Sequence, residues 1–153
     1  MFYRDAEDEA HMRAALELAR RAAALGEVPV GAVVVREGEI IGRGYNRREA
    51  LRSPLAHGEI LAIRQACEVV GDWRLTGCSL YVTLEPCPMC AGAILNARLQ
   101  RLVYGAADSQ WGCCGSLINL MALDFPLRPA ITAGVLAGEC GRVLEDFFQG
   151  IRE

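Results

Sequence analysis

Lysine is missing altogether: all 16 basic residues of this 153-residue chain are arginine. The plain reading is a compositional bias of the source genome. The chemical consequence is that every cation of the chain is a planar, bidentate fork, the better partner for phosphates and bases. Long apolar runs are also missing. They are as short as Gly31–Val35, which excludes a membrane-spanning segment. Met1–Asp8 is acidic and lacks an apolar stretch, so no secretory signal is legible and a cytoplasmic location is expected. Charge of one sign is not in excess either. A net charge of −3 argues against coating nucleic acid by bulk electrostatics, although a local basic patch remains open. No linker, repeat or low-complexity tract interrupts the chain.

What is present is 52% hydrophobic residues, enough at this length to bury a core without staples, as a single domain over 1–153. Seven cysteines are many. An odd number without a secretory signal points to metal ligation or buried thiols rather than to a disulfide framework.

Periodicity predicts a helix over 5–25, with Met12, Leu16, Ala19 and Ala23 on one face and Gly26 as its stop. A hairpin follows, 30–36 and 39–45 around Glu37-Gly38. Its first strand is apolar throughout, so both faces should be covered. An arginine-rich loop spans 46–56, a helix 57–70, a strand 79–84, a helix 88–97 and a strand 101–105. A loop over 106–115, a helical turn at 116–121 and a fifth strand at 131–135 come next. The closing helix, 138–149, places Cys140, Val143, Leu144, Phe147 and Phe148 on one face; Cys140, Phe147 and Phe148 are read as core, with a tail contact of the two phenylalanines to RNA as the alternative. Strands alternating with helices imply parallel crossovers, and the hairpin is antiparallel. The fold class is α/β: a mixed sheet of about five strands with helices on both faces.

Two short patterns carry chemistry: His57-Gly58-Glu59 and Pro86-Cys87-Pro88-Met89-Cys90. Each opens a predicted helix. On a helix flank, residues i and i+2 point roughly 200° apart, so His57 and Glu59 can share a target only off the helix end. Cys87 and Cys90, at i and i+3, lie close together. A metal between two helix N-termini satisfies both pairs. One His and two thiolates form a neutral shell for Zn²⁺ and leave a fourth position open, the mark of a catalytic site. Zinc can bring the pKa of its water to ~7. Glu59 is assigned to proton transfer, since the tetrahedron is full once water binds. Cys113-Cys114 could in principle complete a four-thiolate site. Adjacent cysteines chelate one tetrahedral ion poorly, so they are read as buried, as are Cys67, Cys78 and Cys140.

The paired motifs are the signature of zinc-dependent nucleobase deaminases. Over nearly its whole length the chain resembles the cytidine deaminase superfamily, and within it the bacterial tRNA-specific adenosine deaminases. The resemblance runs through 27–32, Tyr45-Asn46-Arg47, 56–59, 81–93, 115–117 and 139–148. It implies a three-layer α/β/α fold with zinc on His57, Cys87 and Cys90, and Glu59 as proton shuttle. It further implies Asn46 against the target nucleoside, conversion of the wobble adenosine of an arginine tRNA to inosine, and a homodimer. Two positions depart from the family: Gly58 replaces an alanine, and the loop 106–114 lacks the usual lysine and carries Trp111, suited to stacking a splayed base or to a subunit interface.

Arg43, Arg47, Arg48 and Arg52 cluster in and before the loop that enters the zinc helix, where an RNA reaching the metal would pass. Two rival readings remain. A deaminase of free guanine or cytosine would use the same zinc chemistry on a neutral substrate. A non-catalytic zinc module would have no use for Glu59.

Overall fold

Strand β1 (Gly31–Arg36) lacks polar alternation because it has no solvent face. The computed structural model describes residues 2–152. The other strands are β2 (Glu39–Tyr45), β3 (Cys78–Leu84), β4 (Arg101–Ala106) and β5 (Ala130–Ala133), and they form one sheet ordered β2-β1-β3-β4-β5. β1 is antiparallel to both neighbours, and the β3–β4 and β4–β5 pairs are parallel. The hairpin turns through Glu37 and Gly38, both in the left-handed region (φ 51° and 80°), which matches the twist of the strands that it joins.

Helices α1 (Phe2–Ala24) and α5 (Ala137–Arg152) cover one face, and α3 (Gly58–Val70) and α4 (Pro88–Asn96) the other; a short α2 (Arg48–Leu51) lies in the arginine-rich loop. Successive strand residues feed opposite layers. Val33 joins Met12, Leu16 and Val103, while Val34 joins Ala62, Leu80 and Ile94. The helices rest directly on strand backbone. A Cβ at Gly31 would sit 2.6 Å from the Ala19 nitrogen in α1, and one at Gly44 2.6 Å from the Ala62 nitrogen in α3.

The three-layer mixed sheet matches the expectation, with small differences. β5 covers 130–133 rather than 131–135, and the turn expected at 116–121 is a 3₁₀ turn at Leu120–Ala122. The larger correction concerns α5. Cys140 is buried as expected, but Phe148 is 44% exposed and Phe147 half-buried. An apolar stripe shows which helix face is buried, not what covers it. Leu144 and Phe148 of α5 line a pocket instead of the sheet core.

At the other end of the sheet, Asp8 of α1 meets Arg101 of β4 in a two-pronged ion pair, 2.6 Å on each prong. Tyr81 donates to the same carboxylate at 2.7 Å, and Arg101 donates to Thr132 Oγ1 at 2.9 Å. All three of Asp8, Tyr81 and Arg101 are buried. Asp8→Ala removes the countercharge of a buried guanidinium and is expected to destabilise the fold by about 3–5 kcal/mol. Urea unfolding measures this; a loss below about 1 kcal/mol, the value of a surface pair, contradicts it.

Candidate active site

Both metal-motif helices start at the same end of the sheet, beyond the carboxyl ends of β3 and β4, where open α/β sheets place their ligands. His57 is the residue before α3, with extended backbone (φ −80°, ψ 150°). Cys87 stands in the same place before α4 (φ −74°, ψ 175°), and Pro88 opens that helix at a position needing no N–H donor. The two helix starts thereby point their side chains at one spot.

His57 Nδ1 lies 3.6 Å from Cys87 Sγ and 3.5 Å from Cys90 Sγ. All three donor atoms fall within 4.8 Å of one another. Zinc bonds of ~2.0–2.1 Å to nitrogen and ~2.3 Å to sulfur, at tetrahedral angles, require N···S separations of about 3.6 Å. The donor set therefore fits zinc in identity and in spacing. Among the described residues it is the one group of three or more such donors so placed. Cys113 and Cys114 lie outside it as buried thiols, with burial raising both and taking Cys114 to about 12.

Without the metal, the three donors share protons. The Cys90 thiol donates towards Cys87 and brings Cys87 down to about 4. The same hydrogen bond, together with burial, pushes Cys90 up. His57 is raised, chiefly by its hydrogen bond with Cys87.

Glu59, in the first turn of α3, is 3% exposed, and its Oε1 is buried with no hydrogen-bond partner among the described residues. Burial raises its pKa. A buried carboxyl oxygen left open is costly for stability alone, and fits a group that exchanges protons with a bound molecule. Asn46 is also buried. Its Oδ1 accepts the Gly58 N–H at 2.8 Å, which leaves its amide N–H₂ as the group offered to the pocket. The family alanine is excluded at Gly58 unless its surroundings give way: a Cβ there would lie 3.1 Å from the Val30 carbonyl and 3.2 Å from Tyr45 Cα.

Asn46, His57, Glu59 and Cys87 line a pocket of about 830 Å³, within the range of small-molecule sites. Val28, Arg48, Pro54, Trp111 and Phe148 are among its other lining residues. Trp111 is 63% exposed. Of the four arginines singled out by the sequence, only Arg48 lines the pocket. Arg47 is half-buried over the Tyr45 ring, 5.9 Å from its centroid.

Two buried carboxylates escaped the sequence reading. Glu27 accepts the Glu49 and Ala50 N–H groups at 3.1 and 2.9 Å and so caps the short α2 that carries Arg48. Glu85 accepts the N–H groups of Asp108, Cys114 and Ser116 at 3.1, 3.0 and 3.0 Å, and the Ser116 hydroxyl. Burial pushes the Glu85 carboxyl up, but these donors outweigh it and hold it below the ordinary carboxylate range. The legible signal was an acid within an apolar flank, Tyr81–Leu84 then Glu85-Pro86; its partners, more than twenty residues on, were not legible.

Comparison with known proteins agrees with this geometry. The chain matches the MafB19-like deaminase family over residues 6–152. It is 47% identical over 148 residues to a tRNA-specific adenosine deaminase of Bacillus subtilis, covering 96% of this chain and 92% of that one. It is 49% identical over 149 residues to the enzyme of the same name from Haemophilus influenzae, covering 95% and 86%. Among solved structures, one from work on A-to-I editing by tRNA:A34 deaminases at the wobble position superposes with a TM-score of 0.85 at 43% identity, covering 88% of this chain and 99% of that one.

Proposed function

The chain belongs to the MafB19-like deaminases and, among them, to the tRNA-specific adenosine deaminases, and from that premise we propose that it hydrolyses the wobble adenosine of a tRNA to inosine, with arginine tRNA the first substrate to test. The whole chain acts as one deaminase domain. The observation that carries the reading is the open Oε1 of Glu59 in the pocket lined by His57 and Cys87, two of the three clustered metal donors.

His57, Cys87 and Cys90 are the residues that would hold zinc, and the metal when bound supplies the Lewis acidity that makes water a nucleophile near neutral pH. Glu59 takes a proton from the attacking water and passes it to N1 of adenine as C6 becomes tetrahedral. It then takes the proton of the new C6 hydroxyl and delivers it to the departing amine, so that the C6–N bond breaks as the C6 carbonyl forms. One water is consumed, ammonia leaves and inosine remains. Burial raises the pKa of this carboxyl, the direction that favours proton uptake in a shuttle. Asn46 orients the nucleoside through its amide N–H₂. The anticodon loop is unpaired, so turning the target base into the pocket costs little.

Inosine formation on an anticodon stem-loop, measured beside free adenosine, guanine and cytidine, tests the substrate. Rapid, salt-insensitive deamination of guanine or cytosine with no inosine in any tRNA refutes it. Arg48, exposed at the pocket, is placed for a phosphate. Arg48→Gln is expected to raise KM for the stem-loop and to reduce the salt slope of binding by about 0.7, the value for one contact on a single strand. The rate at saturation should move little, since Glu59 and the zinc donors are untouched.

The proposal includes a homodimer and a cytoplasmic location. Among the described residues no helix is long and apolar enough to cross a membrane. Leu117, Ile118, Leu123, Phe125 and Leu127 are all at least 39% exposed within one short segment. A concentration of apolar surface of this kind supports a subunit contact. Leu123→Asp with Leu127→Asp is expected to shift a dimer to monomer in sedimentation; a wild-type monomer at micromolar concentration counts against the dimer.

A further inference from the structure

The wall of the pocket between Ala107 and Trp111 belongs to no helix or strand, and its shape depends on one buried side chain. Glu85 is 2% exposed and leaves β3 two residues before the zinc ligand Cys87. Each of its oxygens receives two donors from the loop. Oε1 takes the Asp108 N–H and the Ser116 hydroxyl; Oε2 takes the N–H groups of Cys114 and Ser116. The carboxylate thereby ties both ends of the 108–116 segment to the strand that delivers Cys87. Between those ends the loop closes on itself: Asp108 Oδ1 accepts the Gln110 and Trp111 N–H groups at 3.0 and 3.1 Å. Cys113 N–H donates to the Pro86 carbonyl at 2.9 Å, a second stitch to the same strand exit. Gly112 passes so close that a Cβ would lie 2.5 Å from Glu85 Oε2.

We propose that Glu85 is a positioning residue, whose buried carboxylate clamps the 108–116 loop into the wall of the substrate pocket and thereby sets the affinity for the nucleic-acid substrate rather than the rate of the chemical step. The inference rests on the substrate reading above. Among the described residues Glu85 hydrogen-bonds neither Glu59 nor the metal donors; its partners are the loop's own N–H and O–H groups. When a loop must be closed for binding, opening it lowers the competent fraction, and apparent affinity falls by that fraction while bound complexes react normally. A carboxamide cannot replace the carboxylate in either orientation. Its N–H₂ would face a backbone N–H whichever way it turned, and two donors cannot satisfy one another.

Glu85→Gln tests this in the full-length, zinc-loaded protein. Amide hydrogen exchange in the 107–117 segment should quicken by about tenfold or more, while exchange in α3 and α4 stays as in the parent. KM for an anticodon stem-loop should rise by about tenfold, with kcat within about threefold and zinc still at one per chain. Gly112→Ala, which displaces the same contact with Glu85 intact, should shift exchange and KM in the same direction and serves where Glu85→Gln does not fold. Ser116→Ala removes one donor of four and should give a smaller shift. Unchanged exchange in the segment overturns the clamp, as does a fall in kcat with KM unmoved. If the parent protein deaminates no tRNA stem-loop, the substrate reading fails, and the exchange measurement still decides whether Glu85 holds the loop.

Discussion

Glu59→Gln should give a folded protein that binds zinc as the parent does and has lost turnover. A positioned acid–base group contributes about 10²–10⁴-fold. Glu59 serves water deprotonation, N1 protonation and amine departure in turn, so the loss should reach the upper end of that range or pass it. The amide keeps the size of the side chain in a site where the parent is 3% exposed, which keeps packing out of the comparison. The parent carboxyl has an oxygen with no partner in the fold. Removing its charge therefore breaks no hydrogen bond of that oxygen. Zinc content by elemental analysis and inosine release from a stem-loop are the two measurements. Loss of zinc with the substitution would make Glu59 a ligand and overturn the assignment of His57, Cys87 and Cys90 as the complete protein shell.

Removing a ligand has the opposite signature. On the proposed ligand set, Cys87→Ala or His57→Ala should lose metal and activity together, because His57 Nδ1 at 3.6 and 3.5 Å from the two thiols would, with them, make the protein share of a four-coordinate site. Cys113→Ala with Cys114→Ala should keep both, since those thiols are buried outside the cluster. Chelator-stripped protein should release protons when zinc is returned, because Cys90, whose pKa is raised in the metal-free site, must give up its proton to ligate. The sign is fixed: lowering the pH adds competing protons and weakens zinc binding. Indicator absorbance in weak buffer reads the release. Zinc uptake without proton release, or retained metal in Cys87→Ala, contradicts the ligand set.

That His57, Cys87 and Cys90 come together was legible in the sequence, because helix pitch restricts how neighbours at i+2 and i+3 can converge. His57–Glu59 and Cys87–Cys90 each have one solution, off the start of a helix, and the two solutions coincide. The buried strand β1 was legible for a similar reason, since five apolar residues in a row leave no face for water. Trp111 is exposed and lines the pocket, a position that the loop's sequence alone does not specify. The limit of this reasoning shows in α5. Periodicity shows the stripe from Cys140 to Phe148 but carries no information about the surface opposite: Cys140 and Val143 pack on the core, while Leu144 and Phe148 line the pocket.

The sequence by itself determined the local geometry: which segments form helices and strands, where each metal motif sits on its helix, and which chemistry those residue types can perform. Only the tertiary structure decided which segments separated along the chain meet. It brought Glu85 under the 108–116 loop, Glu27 under α2, Asp8 onto Arg101 and Phe148 to the zinc pocket. The physical reason is the range of the interactions. Backbone pitch and side-chain alternation act within a few residues and repeat with a period that can be read. A buried carboxylate is satisfied by whatever N–H groups the packed layers bring to it, and nothing in its own neighbourhood of the chain names them.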